Sequence, residues 1–521
     1  MHTTPRNRLF LVRSAAAPLL FVSIAISSGR AQLSGASGDP CGAALEQAQG
    51  SLEADRPLDA TRTLLSAIPR CPGNAEAYAL LGVAFDEQRR YADAHRALLK
   101  AISLNPAWAP FHNNLAVSYL HAGNPQAAMT EFQKALRLDP GNRIAVLNLA
   151  TYYVDRKEFS RALQYLQTFP TGESGDPDLL MLLTRAYLGS GSTQAASRTA
   201  AELSAAAGEN AKLRFSLGLL FAEYGQAAEA IRQFELIPAG DRDYETYENL
   251  GQAYATAGHP EEARGAFESA MRLAPQRPEP YLELSRVYLA LHQTDQALYL
   301  LSQANKQFPQ RAEVNFALAE LLTRARRFDQ AGIALTEAIQ RHPSNALLWQ
   351  ARGDLFNAQH LNEQAVSAYR RSLRFAPEGI GPRIGLAEID QRSGKTEEAR
   401  SEYQALLRLA PGSVEGNTGM GDIAFQNGQL EAADAYLERA FAEGPADSRT
   451  AELLGAVCMR EGKYVEADRV LRKQLSIDPG NPRLHSLEGR ALVKLGKGDE
   501  AQLEFDKARR LTSSDSAPQT R

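Results

Sequence analysis

Charge of one sign, cysteine and long apolar runs are all scarce in this 521-residue chain. Lysine and arginine total 57 against 61 aspartates and glutamates, a net charge of −4. That leaves no basic excess for a nucleic-acid footprint. Only three cysteines occur, so there is no paired Cys-x-x-Cys, and nine scattered histidines form no His-Glu-x-x-His. A glycine-rich phosphate loop is missing too. These absences predict no metal, no cofactor and no enzymatic activity. After residues 15–26 no second apolar run follows, so no stable membrane insertion is expected of the mature chain.

That single apolar run belongs to an expected signal peptide at residues 1–31. Arg6, Arg8 and Arg13 form its basic start, and Gly29 and Ala31 put small residues where a signal peptidase reads. Cleavage after Ala31 would leave Gln32 as the new terminus. An uncleaved anchor is the alternative, but the run contains Pro18 and is shorter than the roughly 20 residues a span needs. No cysteine follows the cleavage point to carry a lipid. The expected location is therefore exported, in a periplasm or outside the cell. Residues 32–40 read as a flexible lead-in and 512–521 as a disordered tail.

What the sequence has is a period. Fourteen alanines, from Ala60, Ala94 and Ala128 to Ala467 and Ala501, stand 34 residues apart, with one gap of 33 between Ala230 and Ala263. Twelve residues before each is another small residue, as at Ala48, Gly82, Ala116, Gly218, Gly353 and Gly489. Two small residues at that spacing predict two closely crossing helices. Leu98, Phe132, Phe234, Phe267, Leu301 and Tyr403 fall four residues beyond the alanine, on the same helix face. Prolines such as Pro106, Pro140, Pro275, Pro309 and Pro343 close the units.

This pattern resembles the tetratricopeptide repeat (TPR) family, most fully at Tyr247, Leu250, Gly251, Tyr254, Ala263, Phe267, Ala270 and Pro275. The resemblance implies an all-α, right-handed superhelical solenoid of antiparallel helix pairs. It covers residues 41–511 as about fourteen units, starting near 41, 75, 109, 143, 177, 211, 244, 278, 312, 346, 380, 414, 448 and 482. First helices would line a concave face, and such folds usually bind proteins or peptides.

On that fold, Cys41 at the start of the first unit and Cys71 at its end fall at the same end of one hairpin. With export to an oxidising compartment, a Cys41–Cys71 disulfide is expected. Closing about 30 residues would stabilise by roughly 3 kcal/mol. Cys458 reads as a buried, inert thiol.

Two stretches are candidates for binding. Asn114 and Asn148, with Asn249 further on, precede a leucine of the first helix, and an amide can both donate to and accept from a peptide backbone. Leu147, Thr151, Met181, Phe215 and Leu219 should look the same way and form an apolar floor; packing against neighbouring units is the alternative. Glu320, Asp354, Glu388 and Asp422 recur one repeat apart and should stack as an acidic column attractive to a basic partner. Arg324 and Arg392, four residues after Glu320 and Glu388, would neutralise part of it. Glycines at 379, 381, 385, 416, 419 and 421 suggest a soft stretch in units eleven and twelve.

The expected function is a non-enzymatic scaffold binding peptides or partner proteins. The alternative is an accessory subunit of an envelope polysaccharide synthesis, export or secretion machine. The oligomeric state is not legible in the sequence.

Overall fold

The computed structural model describes residues 41–168, 176–208, 210–443 and 448–514. The signal segment, the lead-in, the irregular joint at 169–175, Pro445 and the tail from 515 onward lie outside these residues. Among the described residues the regular structure is helical, in 28 α-helices. Two compact units divide the chain within the fourteenth helix, between Ala266 and Phe267.

The first unit holds α1 (Gly42–Glu53), α2 (Pro57–Ala67), α3 (Ala75–Glu87), α4 (Tyr91–Leu104), α5 (Ala109–His121), α6 (Pro125–Leu138) and α7 (Arg143–Asp155). It continues with α8 (Phe159–Leu166), α9 (Pro177–Gly189), α10 (Thr193–Ala207), α11 (Ala211–Glu223), α12 (Ala227–Glu235) and α13 (Tyr244–Ala257). The division falls inside α14 (Pro260–Leu273).

The second unit holds α15 (Glu279–Ala290), α16 (Thr294–Gln307), α17 (Ala312–Arg324), α18 (Phe328–Arg341), α19 (Ala346–Ala358), α20 (Asn362–Phe375) and α21 (Ile380–Arg392). It ends with α22 (Thr396–Leu409), α23 (Val414–Gln426), α24 (Leu430–Glu443), α25 (Ser448–Glu461), α26 (Tyr464–Leu475), α27 (Pro482–Lys494) and α28 (Gly498–Ser514). The last helix thus runs beyond residue 511, taking in the first residues of the stretch expected to be a tail.

Odd-numbered helices are first members and even-numbered helices second members of fourteen successive pairs. Many first helices are opened by a side-chain cap. Asn74, Asn142, Asp176, Asn210, Asp243, Asn345, Ser413 and Asn481 each accept a backbone N–H of the first turn. Between first and second helix the chain turns through one left-handed residue at every repeat. Eight of these positions are glycine, from Gly123 to Gly496; Asp55, Arg89, Lys157, His292, Arg326 and His360 adopt the same conformation without being glycine.

Packing explains the small residues. All fourteen periodic alanines are buried. The glycines of the earlier series face the large residue that follows the alanine by four. A Cβ on Gly82 would come within 2.5 Å of Leu98 Cγ, and one on Gly218 within 2.5 Å of Phe234 Cε1. The small residue of the first helix is therefore the socket for the large residue of the second.

A second recurrent contact holds the joints. Three residues into the first helix, a polar side chain donates to the carbonyl six residues back, usually that of the closing proline. Trp349 Nε1 donates to Pro343 O at 2.8 Å, Arg383 to Pro377 O at 2.8 Å and Asn417 to Pro411 O at 3.0 Å. Asn315 and Tyr281 reach Pro309 O and Pro275 O at 3.4 Å. His485 Nε2 lies 3.0 Å from Pro479 O, and His112 Nε2 3.4 Å from Pro106 O. At a joint that lacks the proline, Arg214 donates to Gly208 O at 2.6 Å.

Cys41 and Cys71 come together as the hairpin geometry suggested, with Cα atoms 6.3 Å apart, inside the range a disulfide spans. Cys458 is a buried free thiol, pushed up to about 12 by burial and by Asp434.

Candidate functional site

In the first unit, α5, α7, α9 and α11 carry the residues singled out for peptide binding. Asn114, Leu147, Asn148 and Thr151 are buried rather than exposed. Asn148 Nδ2 donates to Asn113 Oδ1 at 3.2 Å, and Asn113 Nδ2 to Asn114 Oδ1 at 3.5 Å. One amide chain thus crosses from α7 to α5. Asn113, fully buried, is its middle member and was not among the sequence candidates. Its neighbours' spacing hid it, because Asn113 has no counterpart one repeat later, where Leu147 stands.

Thr151 stands one turn after Leu147 on α7, and its buried Oγ1 has no hydrogen-bond partner. Met181, Phe215 and Leu219 are half-buried against the core formed by Leu180, Leu217, Phe221 and Phe234. Phe215 tilts over Phe234 with ring centroids 5.7 Å apart. These three side chains both pack against neighbouring helices and keep part of their surface in water. Asn249 is not part of this group: its Nδ2 donates to Glu245 O of its own helix at 2.8 Å.

In the second unit, the acidic series is graded in depth. Glu320 and Glu388 are exposed, Asp354 is half-buried and Asp422 is buried. Burial first, then the charges of Glu320 and Glu388, push Asp354 up to about 6. The neighbouring carboxylates are therefore close enough to feel one another. Glu320 pairs with Arg324 at 3.6 Å, as the spacing suggested, while Arg392 donates to Asn357 Oδ1 at 2.6 Å. Asp422 accepts from Gln391 at 2.8 Å, Gln426 at 2.9 Å and Arg449 at 2.6 Å.

Two tyrosines tie this series to the glycines. Tyr369, on α20, is 1% exposed, and its ring fills the space where Gly353 and Gly385 lack a Cβ. Its hydroxyl emerges to donate to Asp354 Oδ1 at 2.7 Å. Tyr403, on α22, lies over Gly419 and donates to Gln391 Oε1 at 2.9 Å. Burial is the first cause that raises both phenols; Asp354 adds to it at Tyr369 and Glu388 at Tyr403. Other glycines of the expected soft stretch also meet their neighbours closely. Gly381 abuts Gln350, Gly416 abuts Leu406 and Leu407, and Gly421 abuts Leu437, so these glycines are close-contact positions.

Among the described residues, no three His, Cys, Asp or Glu side chains are arranged to hold a metal ion. No described helix is long and apolar enough to cross a membrane.

No curated protein matches the chain. Solved structures with a similar course include yeast Tom70, 17% identical over 83% of this chain and 98% of that one, with a TM-score of 0.45. The APC/C hetero-tetramer Cut9–Hcn1 is 15% identical over 87% and 98%, with a TM-score of 0.40. MamA is 25% identical over 32% and 96%, with a TM-score of 0.29. Family models described as tetratricopeptide repeat match residues 80–143, 119–186, 244–277, 288–355, 391–457 and 459–520, together more than half of the chain. Such repeats support a protein–protein interaction scaffold with protein partners. The helix pairs, their buried alanines and these matches lead to one statement: the chain belongs to the tetratricopeptide repeat family.

Proposed function

We propose that this chain is an exported, non-enzymatic scaffold that holds peptide segments or partner proteins on the first-helix face of α5, α7, α9 and α11. The observation that carries the reading is the buried, unpartnered hydroxyl of Thr151 on the same helix as Asn148 of the amide chain, in the unit that also holds the half-exposed Met181, Phe215 and Leu219. A peptide needs such a mixture: apolar surface for area, and a few fixed polar groups for register. Export is supported by the basic and apolar pattern of residues 1–31 and by the approach of Cys41 to Cys71. A disulfide there would brace the first helix pair, which among the described residues packs on one further pair.

A second, basic contact is supported by the exposed Glu320 and Glu388 flanking Asp354. Exposed pairs of that kind contribute under about 1 kcal/mol each, so they would set orientation more than affinity.

The test is a peptide array and an envelope pull-down with the mature chain, beside a Phe215→Ser, Leu219→Ser variant. Loss of the captured partner with an unchanged thermal melt supports the reading; undiminished capture sinks it. The identity of the partner separates assorted exported proteins from a polysaccharide synthesis or export machine, to which the chain would then be an accessory. Turnover of a small substrate by the purified chain would overturn the non-enzymatic part.

A further inference from the structure

One position of the repeat is leucine in ten of the fourteen units; Gln47, exposed, Arg352, half-buried, and Met420 stand there in three others. Leu81, Leu115, Leu149, Leu183, Leu217, Leu250, Leu284, Leu318, Leu386 and Leu454 occupy it, all buried. In the last repeat it is Glu488, 1% exposed. A carboxyl group therefore sits in the apolar seam where α27 joins the stack.

Its surroundings are crowded with like charge. Arg472 of α26 donates to Asp468 Oδ1 at 2.8 Å, to Glu488 Oε1 at 3.0 Å and to Glu500 Oε2 at 2.7 Å. Three carboxyl groups thus share one guanidinium, with Lys497 adding only to the field at Asp468. Glu488 Oε2 has no donor. The same Nε–H of Arg472 serves both Asp468 Oδ1 and Glu488 Oε1, so two carboxyl groups meet at one donor, which favours a proton on one of them. Glu488 is the deeper of the two, with side-chain exposure of 2% against 18%.

Of the other charged groups on the packed elements, Glu466 pairs with Arg469 and Asp506 with Arg509, Lys473 lies over Phe441, and Arg490, Lys494 and Asp499 are exposed. On α25, Arg449 meets Asp422, Glu452 meets Asn481 and Arg483, Arg460 lies over Phe425, and Glu461 meets Lys463. His485 of α27 faces Glu504 of α28, which also binds Lys507. Proton control of this seam therefore rests with Glu488 and Asp468.

We propose that Glu488 is a proton-operated latch: protonated, it keeps the last helix pair docked on α25 and α26, and on ionisation it releases α27 and α28. Burial, then Asp468, push its carboxyl up to about 8, which places the change in mildly alkaline solution. Release would uncover the apolar face around Leu454, Val457 and Leu471 that Leu484 and Ala491 now cover.

Hydrogen exchange of the whole mature chain at pH 6, 7.5 and 9, corrected for intrinsic rates, tests this. Protection in α27 and α28 should fall at least tenfold from pH 6 to 9 relative to α3 and α4. Glu488→Gln and Glu488→Leu, neutral at every pH, should hold the pair docked throughout. A flat wild-type profile overturns the latch. So does a Gln variant that falls as the wild type does, or loss of protection at pH 6 in both neutral variants.

Discussion

Trp349 Nε1 donates to the carbonyl of Pro343 at 2.8 Å, tying the start of α19 to the loop that precedes it. The bond joins a side chain inside a helix to a backbone group that the helix itself cannot satisfy.

Removing that donor while keeping an aromatic ring isolates its contribution. Trp349→Phe should cost about 1 kcal/mol, since a bond in a partly exposed joint returns only the net value of the exchange with water. Urea unfolding should show a lower midpoint at an unchanged slope. An unchanged midpoint would mean that the ring alone holds the joint. The stacking of Arg371 over Trp349, at 4.2 Å, should survive in part on phenylalanine.

The left-handed turns give a prediction of the opposite sign. Arg326 and His360 hold φ of 57° and 60°, a region that a Cβ disfavours by about 1 kcal/mol or more. Arg326→Gly and His360→Gly should each stabilise the second unit by roughly 0.5–1 kcal/mol, after the extra chain entropy of glycine is subtracted. Thermal melts of the single and double variants check this, with near-additive gains because the sites are a repeat apart.

The socket at Gly218 should refuse any side chain. Gly218→Val forces overlap with Phe234 and should cost about 1–3 kcal/mol. Adding Phe234→Ala should recover part of that loss, giving a favourable coupling in a double-mutant cycle, whereas independent sites would simply add.

Asp354 makes stability depend on pH. Its carboxyl, held up to about 6, takes its proton more readily in the folded chain than in the unfolded one, whose ordinary value is 3.8. Stability from this group is complete below pH 3.8 and is lost as pH rises through about 6. Asp354→Asn should flatten that part of the profile and stabilise the chain at pH 7 by on the order of 1 kcal/mol. Tyr369→Phe should raise Asp354 further, because the phenol hydroxyl bonds the ionised form.

The helices were legible in the sequence because alanine and glycine mark helix crossings by size alone, and size is a property of one residue. Ala128 or Gly218 needs no partner to be recognised. The approach of Cys41 to Cys71 was legible for a different reason: the hairpin sets where both residues go. The candidate surface was only partly legible. Asn114 and Asn148 were found by spacing, but their burial and their link through Asn113 depend on neighbours in another repeat. The glycines of α21 and α23 read in the sequence only as weak helix positions; the rings of Tyr369 and Tyr403, supplied by the preceding helices, give Gly385 and Gly419 a packing role that sequence alone does not reveal. Glu488 carried a signal that was overlooked, a carboxyl at a register position that is leucine in ten units.

The clasp at the joints has a consequence for how the chain is made. Tryptophan, arginine, asparagine, tyrosine and histidine all perform it, so neighbouring repeats need not resemble one another there. A long run of near-identical modules emerging from the ribosome invites a helix to dock on the wrong partner. Letting this residue vary freely keeps adjacent modules distinguishable, and so favours assembly in the order of synthesis.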